Sequence, residues 1–529
     1  MTEQGAPAQV VVVSEPLGGS PLSRLIQSGR APASWLLDRP SEPGGWKGRI
    51  DEVRGRFAGA DWLAAVAPAL RVSAAARERL ERVAREGGVV VTTGQQPGLF
   101  GGPIYTWSKA ISALTLADAI ERELGVPAAP IFWAATDDAD LLEAQSVWLP
   151  TADGAVDVRG GAVATAGTPA ARVPQGDLAA ELALLRAAAG SAQESAVLDA
   201  TFEAYDDPGR TIGEAYLRVL EATLGPLGIP ILDAAHPAVA HAADALLRTA
   251  LRSHEALAGS LVQRSREIRD AGFEPQVEEV AGLTPVFVYD ALGVKRRVPA
   301  AEASSVADDA SAVLGANVLL RPIVEAMLLP TVAYVAGPGE LAYFAQVTAA
   351  ATALGAPVPG AVPRWSCTLV EPRIQRVLDR LGVTREDLAD PHRLESTLAR
   401  AAMPADLRAA LAGVRSSLDA AAKPVDDRLG EHSARIGLRH AIERRVAHQA
   451  ARLERRAVAA VKRRETAVMR DVAVARGFFF PGGKRQERAL SLIPVLARYG
   501  TGTLDAMRAV ASEHAAALLG VGAGAKTSA

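Results

Sequence analysis

A glycine-rich turn between an apolar run and a predicted helix carries the residues best suited to binding an anion. The turn follows Val89–Val91, and a helix is predicted from about Ile104 to Leu124. Unpaired N–H groups and the helix dipole make a helix N-terminus attractive to anions, and glycine permits close approach. Lys109, in the first two helical turns, adds a positive charge. The predicted anion-binding residues here are Thr93, Gly94, Gly98, Gly101, Gly102 and Pro103.

A second turn repeats this arrangement. Gly337 and Gly339 follow the predicted strand 331–336 and precede a helix that contains Glu340 and Tyr343. Parallel strands end at the same edge of a sheet, so turns on neighbouring strands would face each other across one crevice. Neither turn is a Walker A or a GxGxxG sequence, and the alternative is a tight strand-to-helix connection without a ligand.

Three carboxylates follow the next predicted strand, residues 129–135. Asp137, Asp138 and Asp140 would lie beyond the carboxyl end of that strand, where open α/β sheets bind ligands. They are predicted as catalytic residues together with Lys109, acting on an amine, a hydroxyl-rich substrate or Mg²⁺. The alternative is a cluster that caps a helix, because Asp is favoured at that position.

Further polar residues around the two turns are predicted to bind substrate. Arg321 and Glu325 share one helical face at i, i+4, where an exposed ion pair would contribute only about 0.3–0.5 kcal/mol. The apolar residues around them favour burial and function instead. Arg364 has a planar fork that can bind a carboxylate or phosphate through two hydrogen bonds. The full set is Gln95, Gln96, Tyr105, Asn317, Arg321, Glu325, Glu340, Tyr343 and Arg364.

The order of the predicted elements indicates an α/β fold with a parallel sheet. Apolar strands at 89–93, 129–135, 228–233 and 331–336 are separated by helices, and the first connection should be right-handed. We predict a core over 1–373 with an insertion near 150–225, a helical coiled-coil arm over 374–476 and a returning segment over 477–529. The arm should contain two long helices, 376–421 and 434–476, separated at Lys423-Pro424. The apolar seam of a single such arm should need a partner.

Composition limits the classes of function. The 529 residues are 49% hydrophobic with a formal net charge of −3, which favours a globular protein without a nucleic-acid partner. Cys367 is the single cysteine, so an internal disulfide and a cysteine-rich zinc site are excluded, and no metal site is expected. The sequence shows neither a signal peptide nor a membrane span, so a cytoplasmic protein is expected.

Several motifs resemble one protein family. TTGQQPGLFGGPIYTWSKAISAL at 92–114, NVLLRP at 317–322 and GPGE at 337–340 resemble, in this order, the BshC cysteine ligases of bacillithiol synthesis. The resemblance extends over about 85–500. It implies a Rossmann-like core similar to class I aminoacyl-tRNA synthetases, and an arm that forms a homodimer. It also implies the last step of the pathway, in which cysteine is added to the amine of glucosaminyl-malate.

The chemistry of this reaction suggests which residues meet which substrate. A free carboxylate must be activated, so ATP is expected, with Mg²⁺ as a companion and without zinc. Its phosphates would lie at Gly98–Pro103 and Lys109, and the malyl carboxylates at Arg321 or Arg364. The resembling family usually has Glu-Asp-His-Asp where this chain has Asp137-Asp138-Ala139-Asp140, so no role of that histidine is carried over.

Two other functions remain open from the sequence. One is a different nucleotide-dependent enzyme that activates an amino acid. The other is a non-catalytic coiled-coil binding protein that kept the crevice, and Ala139 favours this alternative.

Overall fold

The computed structural model describes residues 9–37, 39–192, 195–430 and 436–521, without the side chains of residues 422–443. Its internal contacts divide the chain into two units. The first comprises Met1–Leu149, Val156–Pro372 and Gln486–Ala529. The second comprises Pro150–Ala155 and Arg373–Arg485, so residues 477–485, predicted in the returning segment, group with the second unit.

A six-stranded sheet forms the centre of the first unit. Its strands are β1 (Leu70–Arg71), β2 (Val89–Gln95), β3 (Ala128–Ala134), β4 (Ile231–Asp233), β5 (Thr331–Ala336) and β6 (Gly360–Pro363). They lie in the order β6-β5-β2-β3-β4-β1, all parallel except β1. The chain proceeds from β2 outward to β4, then returns to the other side of β2 as β5 and β6. This reversal is the Rossmann-like topology, and its switch point lies between β2 and β5.

The sheet is buried on both faces because its strands are nearly continuous apolar runs. Val89 and Val91 pack on one face with helix α1 (Tyr105–Leu124), while Val90 packs on the other. That opposite face is covered by residues of Pro237–Arg252 and of α3 (Pro338–Leu354). Alternation along a strand sends successive side chains to opposite faces, which explains this division. Helix α2 is Arg321–Leu328.

The remaining strands and helices outside Arg373–Arg485 are as follows. Further strands are Val11–Ser14 with Cys367–Val370, Ser146–Thr151 with Gly154–Arg159, and Leu283–Tyr289 with Lys295–Pro299 and Val313–Ala316. Further α-helices are Pro21–Gln27, Pro43–Arg56, Trp62–Val66, Ala74–Arg85, Leu141–Ala144, Ala179–Ala189, Ala196–Tyr205, Ile212–Leu224, Pro237–Arg252, His254–Asp270, Ala303–Asp308, Ile493–Tyr499 and Gly502–Leu518.

The second unit is helical, but the predicted helix bounds are wrong. Its helices are Pro372–Leu381, Pro391–Ala401, Ala405–Gly430, Ile436–Arg464 and Thr466–Phe479. The segment predicted as one helix over 376–421 is interrupted at Gly382, which has a φ of +63°, and again before Pro391. The helix Ala405–Gly430 continues through Pro424, so the break predicted there is absent. A proline removes one backbone hydrogen bond, and a long helix can tolerate that loss. None of the described helices is long and apolar enough to cross a membrane.

The turn after β2 is held by close packing at Gly101. Its φ is +83°, and a Cβ atom there would lie 2.8 Å from Cη2 of Trp107 and 3.0 Å from Cγ1 of Val219. Gly125, at the end of α1, also has a left-handed φ of +68°, but nothing lies within 4 Å of its Cβ position. The two glycines therefore share one backbone constraint and differ in available space.

We expect Gly101→Ala to destabilise the protein more than Gly125→Ala. Both alanines would lose roughly 1–2 kcal/mol to the left-handed backbone, and the clash at Gly101 should add about 1–3 kcal/mol. Urea unfolding followed by circular dichroism measures both variants. Equal losses would contradict the packing described at Trp107.

Candidate functional site

A cavity of about 830 Å³ lies at the switch point of the sheet. Gly94, which ends β2, and Gly337, which follows β5, both line it. The two glycine turns therefore meet at one crevice, as the sequence predicts. Fourteen of the predicted residues line the cavity, namely Gly94, Gln95, Gln96, Tyr105, Lys109, Asp137, Asp138, Asn317, Arg321, Gly337, Gly339, Glu340, Tyr343 and Arg364.

A buried ion pair connects the two turns. Nζ of Lys109 lies 2.6 Å from Oε2 of Glu340, and the Lys109 side chain is only 4% exposed. The same ammonium group donates to the carbonyl of Gly94 and to Oε1 of Gln95 at 3.2 Å. Thus one side chain from α1 holds the end of β2 against the first turn of α3.

Glu340 also caps its own helix. Oε2 accepts from the N–H of Gly337 at 2.7 Å, and Oε1 accepts from the hydroxyl of Tyr334 at 2.5 Å. Burial alone would raise the pKa of Glu340, but the charges of Lys109 and Arg321 hold it below its ordinary value. The carboxylate is therefore ionised, with two cations beside it.

Arg321 completes this cluster from α2. Its Nη2 donates to the hydroxyls of Tyr334 and Tyr343, each at 3.0 Å, and lies 3.5 Å from Oε1 of Glu340. The guanidinium group is thus fixed by aromatic hydroxyls on two elements of the first unit. Lys109 and Arg321 carry two positive charges against the one negative charge of Glu340, so these three groups have a net positive charge.

Glu325 lies behind this cluster and does not line the cavity. Its side chain is 0% exposed, and its Oε1 is 3.6 Å from Nε of Arg321. The carboxyl group lies beside the Thr92 hydroxyl, although the geometry falls short of a hydrogen bond. Burial raises the pKa of Glu325 to about 7, against the opposing charge of Arg321. Glu325 is therefore a buried group next to Arg321 and not part of the cavity surface.

Acidic side chains that follow β3 also line the cavity. Asp137 and Asp138 face the cavity after β3, and burial raises the pKa of Asp137 although Lys295 opposes that shift. Asp140 is exposed and does not line the cavity. Its Oδ1 accepts from the N–H of Glu143 at 3.1 Å and caps the helix Leu141–Ala144. Asp140 therefore caps a helix, which was the alternative to a catalytic role that the sequence left open.

Glu143 lines this wall and was missed from the sequence. Its carboxylate accepts from Nε2 of Gln96 at 2.5 Å and from the hydroxyl of Tyr105 at 3.2 Å, while Gln95 donates to the same hydroxyl at 3.0 Å. Burial raises the pKa of Glu143, and the Tyr105 hydrogen bond opposes the shift. Its spacing from Asp140 is that of a capping pair, but the N–H of Asp140 donates to Oδ1 of Asp138 at 3.0 Å instead, so the sequence carried no signal for the position of Glu143 in the cavity.

Arg364 reaches the cavity but is already paired. Its Nη1 and Nη2 lie 2.8 Å from the two carboxylate oxygens of Glu487, and both side chains are 2% exposed. Nη1 also donates to the hydroxyl of Ser108 at 3.1 Å. The fork that was predicted to clamp a substrate anion is thus committed to a carboxylate of the same unit.

The later part of the first turn does not reach the cavity. The N–H of Phe100 donates to the Tyr205 hydroxyl at 2.9 Å, and that of Ile104 donates to the carbonyl of Leu490 at 2.9 Å. The Thr93 hydroxyl donates to the Val335 carbonyl at 2.8 Å between strands. The donors expected to bind phosphate therefore hold the protein together. The predicted residues placed outside the cavity are Thr93, Gly98, Gly101, Gly102, Pro103, Asp140 and Glu325.

Three cationic side chains line the cavity without having been predicted. Lys295 and Arg297 come from the hairpin strand Lys295–Pro299, and Arg488 follows Glu487. Nothing in the sequence indicated that this face of the strand lies over the crevice. No group of three or more His, Cys, Asp or Glu side chains that could hold a metal occurs in the described part of the chain.

Comparison with known families agrees with this architecture. Residues 37–365 match the family model described as the BshC N-terminal Rossmann-like domain of bacillithiol biosynthesis. Residues 367–517 match the C-terminal coiled-coil domain of the same family. The chain belongs to the BshC family. The Rossmann-like core and the coiled-coil arm predicted from the sequence are confirmed.

Curated relatives cover most of the chain. A BshC protein of Solibacter usitatus is 32% identical over 469 residues, which are 83% of this chain and 85% of the relative. One of Koribacter versatilis is 32% identical over 465 residues, and one of Geobacillus kaustophilus is 28% identical over 494. They cover 83% and 86% of this chain and 84% and 88% of the two relatives, respectively. Each carries the name "Putative cysteine ligase BshC".

We expect Glu325→Gln to change how stability depends on pH. The folded protein keeps a proton on Glu325 up to about pH 7, while the unfolded chain releases it near 4.5. Wild-type stability should therefore fall as pH rises between these values, and the variant lacks this loss. Relative to wild type, the free energy of unfolding of the variant should rise by roughly 3 kcal/mol across the interval.

Urea unfolding at several pH values measures this difference. Glu78→Gln, at an exposed site in the helix Ala74–Arg85, is the matched control for removing a carboxylate. Parallel pH curves for wild type and Glu325→Gln would contradict the expectation.

Proposed function

We propose that this protein is an ATP-dependent ligase that joins the carboxyl group of cysteine to the amine of glucosaminyl-malate, forming bacillithiol. The observation that carries the proposal is the cavity at the switch point, which is lined both by the net positive cluster of Lys109, Arg321 and Glu340 and by the carboxylates of Asp137 and Asp138. Membership of a family whose curated relatives are named cysteine ligases supports the same reaction. The substrates and the place as last step are part of the proposal.

Amide formation needs activation, because a carboxylate is a poor electrophile. Attack of the cysteine carboxylate on ATP gives an acyl-adenylate and pyrophosphate, or an acyl-phosphate and ADP. The amine then attacks the acyl carbon, AMP or phosphate leaves, and the attacking nitrogen loses a proton. Both routes need an anion site and a proton acceptor, and Mg²⁺ would accompany the nucleotide.

The start of α3 fits the anion better than the first turn does. The first backbone hydrogen bond of α3 is donated by Leu341 to Gly337, so the N–H groups of Gly339 and Glu340 precede the helical ladder. The helix dipole adds positive potential there. Lys109 and Arg321 outweigh the Glu340 charge, so phosphate can approach. We therefore move the proposed phosphate site from Gly98–Pro103 to Gly337–Glu340.

Asp137 is the best placed proton acceptor. It lines the cavity, and a pKa raised by burial makes its carboxylate a stronger base near neutral pH. Asp138, beside it, can hold the ammonium group or a sugar hydroxyl. The rest of the catalysis comes from holding the reactants in place and from stabilising charge.

The decisive assay combines the protein with ATP, cysteine and glucosaminyl-malate. We expect an ATP-dependent thiol product of the mass of bacillithiol, with Asp137→Asn lowering kcat by about 10²–10⁴, the usual contribution of a general base. Asp140→Asn should keep most of the rate, because Asn caps a helix as well as Asp does. Mass spectrometry detects the product, and the released nucleotide distinguishes the two activation routes.

Absence of product beside an active BshC relative would reject the proposed function. Equal loss in Asp137→Asn and Asp140→Asn would reject the assigned roles.

A second candidate function follows from Ala139, which lines the cavity where the resembling family usually has histidine. ATP binding without turnover of any amino acid would favour a binding protein instead.

We also propose that the coiled-coil arm forms a homodimer. Leu453 on the helix Ile436–Arg464 is 41% exposed, and Val414 on the helix Ala405–Gly430 is 42% exposed. Exposed apolar side chains on paired helices are typical of association surfaces. A cytoplasmic location and the absence of a nucleic-acid partner stay predictions from composition.

Leu453→Glu should convert the dimer to a monomer, because a charge at a buried apolar seam is costly. Light scattering after gel filtration measures the mass. Arg77→Glu, at an exposed site of the first unit, introduces the same residue outside the arm and should leave the dimer intact. A monomeric wild type, or a dimeric Leu453→Glu, would contradict the proposal.

A further inference from the structure

The cations around the cavity differ in how their charges are compensated. Lys109 and Arg321 share the carboxylate of Glu340, and Arg364 is paired with Glu487. Arg364 is neutralised by its carboxylate, whereas Lys109 and Arg321 share one carboxylate and keep one net positive charge, which the proposed phosphate site uses. The carboxylates of a second substrate therefore need cations that have no carboxylate partner in the protein.

Arg297 is such a cation. It is half-buried on the cavity wall, and its Nε donates to the carbonyl of Thr284 at 3.0 Å. Its two terminal nitrogens have no partner, and no carboxylate lies within ion-pair distance, among the residues that the structure describes. Burial lowers the pKa of Arg297, with no carboxylate opposing that shift. A half-buried guanidinium group without an anion is costly, so a bound anion would compensate it.

Lys295 lies on the same face of the same strand. Residues two apart on a strand project to one side, about 7 Å from each other along the chain. Nζ of Lys295 donates to the backbone carbonyl of Asp137 at 2.7 Å and lies 5.0 Å from the ring centroid of Phe287. Phe287 pairs with Arg297 across the hairpin and lines the cavity as well.

The contact between Lys295 and Asp137 connects this hairpin face to the acidic wall. An amine bound at Asp137 would therefore have two cations next to it, along the strand towards Arg297. This order, an acceptor for the amine followed by two positive charges, suits a molecule with an amine at one end and a dicarboxylate at the other.

We propose that Lys295 and Arg297 bind the two carboxylates of the malyl group, and so orient the sugar amine towards Asp137. This inference rests on the proposed function and names the subsite for its amine substrate. It replaces the sequence-based assignment of those carboxylates to Arg321 or Arg364, whose donors serve internal partners. Nucleotide phosphates are the other anions that two such cations could take, and the test separates the two sources.

Calorimetric titration of the whole protein with glucosaminyl-malate, without ATP or cysteine, tests the subsite independently of turnover. We expect Arg297→Gln to weaken glucosaminyl-malate binding at least tenfold and to leave ADP binding unchanged. Lys295→Gln should act in the same direction. Methyl glucosaminide, which has no carboxylates, should bind all variants equally.

Arg296→Gln is the matched control. Arg296 is the next residue on the strand, points away from the cavity and pairs with Glu302 at 2.9 Å. It removes an arginine from the same hairpin and should leave both affinities as in wild type. Arg297→Lys keeps the charge without the fork and should give an intermediate affinity.

The alternative outcomes overturn the inference. The first is that the wild-type protein does not bind glucosaminyl-malate. The second is that Arg297→Gln binds it with wild-type affinity. The third is that Arg297→Gln loses only the binding of ADP. Equal weakening in Arg296→Gln and Arg297→Gln would also overturn it. Because only binding is measured, a protein that binds the dicarboxylate through Arg297 but makes no amide would reject the ligase reaction and keep the subsite.

Discussion

The ion pair between Lys109 and Glu340 is the interaction on which the crevice depends. It joins helix α1, which follows β2, to the start of helix α3, which follows β5. These two strands flank the point where the strand order reverses. A buried charge is tolerated when it has a partner and further hydrogen bonds, and both groups have these here. Removing one partner typically costs about 3–5 kcal/mol in other proteins, since the remaining charge is stranded. The geometry of the cavity and the stability of the core are therefore coupled.

The sequence allowed the central sheet and the meeting of the two glycine turns to be predicted. Uninterrupted apolar strands bounded by glycine and proline are local signals, and parallel strands necessarily end at one edge. The ends of the strands at Gly94 and Gly337 were therefore enough to locate the crevice. The Rossmann-like class followed from the same local signals together with the family resemblance.

The partners of the polar residues could not be predicted, because they come from distant parts of the chain. The fork of Arg364 was visible in the sequence, but its pairing with Glu487, 123 residues later, was not. Asp140 could equally cap a helix or face a substrate, and only the fold decides between these. Lys295 and Arg297 lie on a hairpin whose orientation over the crevice depends on packing. In the arm, the break predicted at Pro424 is absent because the helix continues through the proline, and the breaks at Gly382 and before Pro391 were missed.

The buried pair of Arg364 and Glu487 has a consequence for synthesis on the ribosome. Arg364 leaves the ribosome long before its carboxylate partner, with the entire coiled-coil arm translated in between. At typical elongation rates this delay is on the order of 10 s. Until Glu487 is made, the guanidinium group of Arg364 lacks the carboxylate that neutralises it, so the part of the cavity wall that Arg364 lines is completed only near the end of translation.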